Sequence, residues 1–340
     1  MRAFLKLPRQ LAWHVFPLLP ALALGGCATT LSADEQQSVA GKTYVITGAS
    51  SGFGRGVSLK LAAMKANVVL AARRTEVLNQ VAQEAQAAGG TPLVVTTDVS
   101  NLQDMRRLMD ATLQRFGRVD VWINDAGVGA IGVFDANLKG VIYGSHFALR
   151  QFRRQGYGVL INLGSIESEV PLAYHASYGA TKAAILGLDR ALNEELRLTG
   201  VGDRIKVSTI MPFGTDTPFF DHAANYTGRT AREPMRDPPE KVVDYIVYAS
   251  VHPREEVLTG WKARSAYWSH RIAPDLTEYI NGNVSQTSQM EHAPPTQPPT
   301  SGSLHQPMQS GTTVNGGVRA RMHMEDAQRK AAGQAQPASQ

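Results

Sequence analysis

Two spacings in this 340-residue chain could carry chemistry. The first is Tyr178-Gly179-Ala180-Thr181-Lys182, in a stretch with helical periodicity, where four residues make about one turn and put both side chains on one face. A free phenol titrates near ~10, and a neighbouring ammonium favours its ionised form and lowers that value. The pair is therefore a candidate general acid/base centred on Tyr178. Tyr174 has no lysine four residues later and does not compete. The second is the run from Thr47 to Gly54, with Gly48, Ser50, Ser51, Gly52, Phe53 and Gly54. Glycines so placed let the backbone turn tightly and approach a pyrophosphate, and the helix that follows offers free N–H groups and its positive dipole end.

Cofactor choice is read where Ala71-Ala72 meets Arg73-Arg74. An acidic residue there would chelate the ribose hydroxyls of NAD, whereas a guanidinium holds a 2′-phosphate through charge-assisted bonds, so NADP(H) is favoured over NAD(H). The competing role for Arg73 and Arg74 is as solvated residues at a helix start.

These residues need a frame. Short β-branched runs at 43–47, 67–71, 93–96, 119–123, 158–162 and 205–210 alternate with helical stretches near 54–66, 74–88, 101–116, 138–154 and 176–199. Strands alternating with helices of this length predict right-handed βαβ crossovers, hence an α/β fold with a doubly wound parallel sheet and helices on both faces. Four regions follow: a leader to residue 40, a catalytic domain over 41–250, a helical extension over 251–284 and a tail from 285 to 340. The extension carries Trp261, Tyr267, Trp268, Ile272, Leu276 and Ile280, an apolar face for one or two helices that suits core or subunit packing better than a membrane surface. The tail, with Pro-Pro pairs between 293 and 299 and no sustained apolar period, predicts disorder.

The formal charge of +5 leaves about +3 for the middle of the chain, scattered rather than striped, which argues against a nucleic-acid partner. Cys27 is the sole cysteine, so no intramolecular disulfide and no Cys-rich zinc site can form. The nine histidines show no metal-ligand spacing. Basic residues, an apolar stretch from Leu11 to Leu24 and then Leu24-Gly25-Gly26-Cys27 follow the order of a signal peptide. The stretch is broken by His14, Pro17 and Pro20 and is too short for a transmembrane span. Two readings stand: lipoprotein processing at Cys27 with membrane anchoring, or an unstructured leader on a cytoplasmic enzyme.

The glycine spacing, with Thr47 before it, resembles the classical branch of the short-chain dehydrogenase/reductase family, and the likeness covers about 41–220. Asp98-Val99 is similar to the family's adenine contact, and Asn124-Asp125-Ala126-Gly127 to its Asn-Asn-Ala-Gly, with Asp125 in place of the second asparagine. The resemblance implies a Rossmann-like domain in which Gly48, Ser50, Ser51, Gly52, Phe53, Gly54, Arg73, Arg74, Asp98, Val99, Asn124, Ala126 and Gly127 contact the dinucleotide. Ser51 lacks the basic residue that some NADP-dependent members carry before the second glycine. The resemblance also implies that Ser165 holds the substrate oxygen beside Tyr178 and that Lys182 hydrogen-bonds the nicotinamide ribose. Pro212, Thr215 and Thr217 match the segment that closes over nicotinamide, with Phe213 where glycine is usual. Asn137 matches the asparagine that holds a proton-relay water, yet follows Gly127 by ten residues, short of the family's usual insert.

The function implied is hydride transfer between NADP(H) and a small-molecule ketone or secondary alcohol. The shortened 127–137 segment keeps an alternative open, a catalytically silent NADP(H)-binding protein. A homo-oligomer is implied by resemblance, and NADP(H) chemistry implies the cytoplasm while the leader suggests export.

Overall fold

The computed structural model describes residues 29–129, 134–233, 235–292 and 298–334. The leader's apolar stretch and Cys27 lie outside these residues. Among the described residues no helix is long and apolar enough to cross a membrane.

Among the described residues seven strands form one sheet: β1 (Thr43–Thr47), β2 (Asn67–Ala72), β3 (Thr91–Thr96), β4 (Val121–Asn124), β5 (Gly158–Leu163), β6 (Ile205–Met211) and β7 (Glu256–Leu258). Their order is β3-β2-β1-β4-β5-β6-β7, and every pairing is parallel. The chain runs outward from β1 to β3, crosses back and runs outward again from β4. The reversal leaves a crevice at the carboxyl ends of β1 and β4, where α/β sheets bind ligands.

The helices are α1 (Ala33–Val39), α2 (Gly52–Ala63), α3 (Thr75–Ala87), α4 (Leu102–Phe116), α5 (Gly140–Gln155), α6 (Ala176–Leu198), α7 (Phe219–His222), α8 (Pro239–Val251), α9 (Trp261–Ile272), α10 (Pro274–Ser285) and α11 (Val318–Gln334). Strand alternation divides the core. Tyr44, Ile46, Val68 and Leu70 point to one face and pack with Val57 and Leu61 of α2 and Val242 and Ile246 of α8. Val45, Val69, Trp122 and Leu160 point to the other and meet Met105 and Leu108 of α4, Phe152 of α5 and Leu196 of α6. Strands buried on both faces must read as near-continuous apolar runs, as these do.

Three features differ from the sequence expectations. β7 is a seventh strand, three residues long, too short to show a period. The extension holds α9 and α10, and on them Trp261, Trp268, Ile272, Leu276 and Tyr279 are exposed rather than packed in a core. Where composition predicts disorder from Ser285, the structure places a π-helical turn at Gln286–Glu291 and, further on, a segment over 298–317 that lies along the body before α11. That segment is held by hydrogen bonds, most of them to its main chain, which a count of apolar residues does not register.

Candidate functional site

The crevice opens into a cavity of about 1480 Å³. Its floor is built from the glycine loop. Gly48 has φ +76°, and a Cβ there would lie 2.9 Å from the Ala126 nitrogen; a Cβ on Gly54 would lie 2.5 Å from the Gly48 carbonyl oxygen. Only glycine lets the backbone run this close. Thr47 Oγ1 accepts from the Asp125 and Ala126 nitrogens at 3.1 and 3.2 Å, tying the end of β1 to the loop after β4. The residues present fit a dinucleotide: a cradle that a Cβ would fill, the first turn of α2, and two arginines at the end of β2.

Gly48, Ser50, Ser51, Gly52, Phe53, Arg73, Arg74, Asp98, Val99, Ala126 and Gly127 line the cavity, as do Ser165, Tyr178, Lys182, Pro212, Thr215 and Thr217. Gly54, Asn124 and Asn137 do not. Gly54 shapes the cradle from behind. Asn124 is turned into the sheet, where its Oδ1 accepts from Trp122 Nε1 and its Nδ2 donates to Asn162 Oδ1, both at 2.8 Å. A contact from its side chain to a cofactor is therefore not available in this geometry. Asn137 is buried in a π-helical turn, and its amide closes on Val128, accepting from the nitrogen at 2.8 Å and donating to the carbonyl at 2.9 Å. The turn begins at Asp135, while 130–133 of the shortened segment lie outside the described residues.

Ser165 ends the β5 turn with two roles at once. Its hydroxyl caps the 3-10 turn Ile166–Ser168 by accepting from the Glu167 nitrogen at 3.1 Å, and it lies within hydrogen-bonding reach of the Tyr178 hydroxyl. Tyr178 stands near the start of α6, its ring 5.3 Å from that of Phe219 and 6.4 Å from that of His175. One turn on, Lys182 is buried, with Nζ 5.5 Å from the Tyr178 ring centroid and donating to the Leu163 carbonyl.

The net direction at Tyr178 runs opposite to the one the sequence suggests. Burial pushes the Tyr178 phenol well above its ordinary value, Glu167 pushes it further, and Ser165 only partly offsets them. Burial also brings Lys182 down to about 8, although the charges of Asp125 and Glu167 hold it up. Desolvation is the leading cause at both groups.

Sequence reasoning noted Asp125 only as a departure. Here it lines the cavity, and burial raises its carboxyl to about 7 against the pull of Lys182 and the Gly54 N–H. Glu167 and His175 were missed. His175 Nδ1 and Glu167 Oε1 are 3.1 Å apart, and Glu167 Oε2 is buried without a hydrogen-bond partner. The one available signal was Glu167 lying two residues beyond Ser165. Behind the site, Asn162 Nδ2 donates to Asp189 Oδ1 and Thr209 Oγ1 to Asp189 Oδ2, both at 2.6 Å, a buried network that braces β5, β6 and α6. Burial raises Asp189 to about 7. Among the described residues no group of three or more His, Cys, Asp and Glu could hold a metal ion.

Known proteins resemble this chain in sequence and fold. Residues 42–226 match the family described as short chain dehydrogenase. An uncharacterized oxidoreductase of Bacillus subtilis, YxnA, is 31% identical over 269 residues, covering 74% of this chain and 75% of that protein. The 11-beta-hydroxysteroid dehydrogenase A of Sesamum indicum is 30% identical over 268 residues, covering 72% and 75%. Among solved structures, a short-chain dehydrogenase/reductase from Burkholderia phymatum in complex with NAD is similar over 77% of this chain and 99% of its own, with TM-score 0.62 and 25% identity. An alcohol dehydrogenase from the archaeon Thermococcus sibiricus, complexed with 5-hydroxy-NADP, is similar over 64% and 94%, with TM-score 0.55 and 25% identity. The family match spans more than half of the sequence, and this chain belongs to the short-chain dehydrogenase/reductase family, oxidoreductases acting on CH–OH and C=O groups.

Proposed function

We propose that this protein transfers hydride between NADP(H) and a ketone or secondary alcohol, with Tyr178 as the general acid/base. The observation that carries the reading is the meeting of Ser165, Tyr178 and Lys182 on one wall of a cavity continuous with the glycine cradle. The bound dinucleotide would supply the hydride to the carbonyl carbon, or accept it from the alcohol. Ser165 holds the substrate oxygen, and Tyr178 gives that oxygen a proton in reduction and takes one in oxidation. A phenol kept protonated by burial suits the donor's part. Lys182, drawn down to about 8 by burial, would hold the nicotinamide ribose, as the family resemblance implies. Arg73 and Arg74 at the end of β2 support the preference for NADP(H).

The test is consumption of NADPH and NADH by the purified protein against ketones, aldehydes and quinones, with Tyr178→Phe as control. Turnover that favours NADPH and vanishes in the variant supports the reading; turnover that survives Tyr178→Phe removes it. The closing of the Asn137 amide on Val128 favours a second reading, a silent NADP(H) binder, which gains if NADPH binds tightly and no substrate is consumed. Anchoring through Cys27 is a separate proposal, tested by whether detergent partitioning is lost in Cys27→Ala. A homo-oligomer is likewise proposed, and sedimentation of the full chain measures it.

A further inference from the structure

The segment from Thr300 to Val318 follows the rim of the crevice. Asn225 and Thr300 exchange main-chain bonds at 2.8 and 2.9 Å, and the Ser303 nitrogen donates to the His222 carbonyl at 2.8 Å. Beyond this the chain turns its carbonyls toward the residues assigned to the dinucleotide's phosphates. Arg73 Nη2 donates to the Ser303 carbonyl at 2.5 Å, and Arg74 Nη1 to those of Met308 and Ser310 at 3.1 and 3.0 Å. The Gly52 nitrogen, first in α2, donates to the Thr313 carbonyl at 3.0 Å.

Arg74 is saturated. A guanidinium has five N–H donors; besides the two carbonyls, its Nε and Nη2 reach Ser50 Oγ at 3.2 and 3.0 Å, and Nη2 reaches Ser51 Oγ at 2.9 Å. Two of these five bonds, both from Nη1, go to the tail, so a 2′-phosphate that approaches Nη1 takes donors the tail now holds.

The contact is fitted. A Cβ on Gly302 would lie 2.2 Å from the His222 carbonyl oxygen, on Gly311 2.5 Å from His222 Nε2, and on Gly316 2.3 Å from the Thr217 carbonyl oxygen. Further on, Asp216 caps α11 by accepting from the Val318 and Arg319 nitrogens at 2.8 and 3.1 Å. Buried Arg232 pairs with Glu325 and Asp326. The segment is thus pinned at both ends, with its acceptors between the pins.

We propose that residues 303–313 are an internal occupant of the phosphate rim, whose carbonyls hold Arg73, Arg74 and Gly52 until a dinucleotide bearing a 2′-phosphate displaces them. This rests on the NADP(H) reading above. The exchange has a direction, because a phosphate offers the guanidinium an opposite charge and bidentate acceptor oxygens, where the tail offers neutral carbonyls. NADH lacks the group that competes for Arg74, so it opens the segment less readily. The segment therefore tunes which nicotinamide cofactor is taken up, and its release reports that uptake.

The test compares the full chain with Gly311→Val and Gly316→Val, each of which forces the segment off the rim and alters no side chain assigned to the dinucleotide. The double variant Glu325→Gln/Asp326→Asn, which frees α11 from Arg232, guards against misfolding of the glycine variants. Fluorescence titration gives the affinities for NADPH and NADH, and a protease of broad specificity reports exposure of residues 298–317. The expected result is that NADPH binds about tenfold more tightly to the variants while NADH gains clearly less, and that NADPH exposes the segment in the unaltered chain while NADH does so weakly. Equal NADPH affinity in all forms, with the segment still protected when NADPH is bound, overturns the inference and leaves the NADP(H) reading intact. Folded protein that binds neither dinucleotide in any form removes the NADP(H) reading and the inference with it.

Discussion

Asp125 and Lys182 sustain one another's charge inside the cleft: each lines the cavity, burial works against both, and each is the other's leading electrostatic support. Burial draws both toward neutrality from opposite sides, so their titrations are coupled. Replacing Asp125 with Asn removes the charge that holds Lys182 up. Lys182 in Asp125→Asn is therefore expected to titrate below its present value of about 8, and the pH dependence of dinucleotide binding that stems from Asp125, centred near 7, should disappear. Binding titrations from pH 5 to pH 9 check both; an unchanged profile would show that the two groups act independently.

Tyr178→Phe keeps the ring against Phe219 and removes only the hydroxyl. We expect kcat to fall by a factor on the order of 10²–10⁴, with dinucleotide affinity within about twofold. Ser165→Ala removes the substrate-oxygen contact and the cap on Ile166–Ser168 together, so it should lower both activity and melting temperature. A melting temperature equal to that of the unaltered protein would detach Ser165 from the turn it caps.

Asp189 gives a stability signature. Its folded-state pKa is raised, from 3.8 to about 7, so its contribution to stability is fully present below the unfolded value and is lost as pH rises through about 7. Asp189→Asn stays neutral throughout and should lack this loss. The melting temperature of the variant relative to the unaltered protein is expected to climb between pH 4 and pH 7 and then level off. A flat difference across that range counts against a buried, neutral-preferring Asp189.

Gly54→Ala places a methyl group 2.5 Å from the Gly48 carbonyl oxygen. The backbone must shift, at a cost of about 1–3 kcal/mol, and the cradle shifts with it. Weaker dinucleotide binding alongside a lower melting temperature is the expected result, read by fluorescence titration and thermal denaturation. Gly187→Ala, where nothing lies within 4 Å of the added atom, is the matched control: it should leave binding unchanged and, being inside α6, raise the melting temperature slightly, since alanine is the better helix former by about 0.5–1 kcal/mol.

The sheet was legible because strands buried on both faces read as near-continuous apolar runs, and β1, β2 and β5 do. The Tyr178–Lys182 pair was legible because a spacing of four means one helical face. What sequence could not convey was solvation: the raised phenol and the lowered ammonium come from burial, which depends on what α9, α10 and the loop around Phe219 place over the site. Asn124 and Asn137 show a related limit. Both stand at positions that match the family pattern, yet the structure gives their amides to Asn162 and to Val128, partners 38 and 9 residues away. In the tail, glycines and prolines that suggest an unstructured chain also permit close backbone approach, as Gly302, Gly311 and Gly316 do.

The placement of β1 between β2 and β4 has a consequence for synthesis. Thr43 meets Asp120 across 77 residues of chain, and Tyr44 to Thr47 face Val121 to Asn124. At about 5–20 residues per second, the ribosome delivers β4 roughly 4–15 s after β1. For that interval the nascent chain carries an apolar strand with one open edge. The first half of this protein is therefore the part that most needs shielding by a chaperone as it emerges, and slowing translation between residues 47 and 121 should lower the yield of soluble protein more than an equal delay after residue 211.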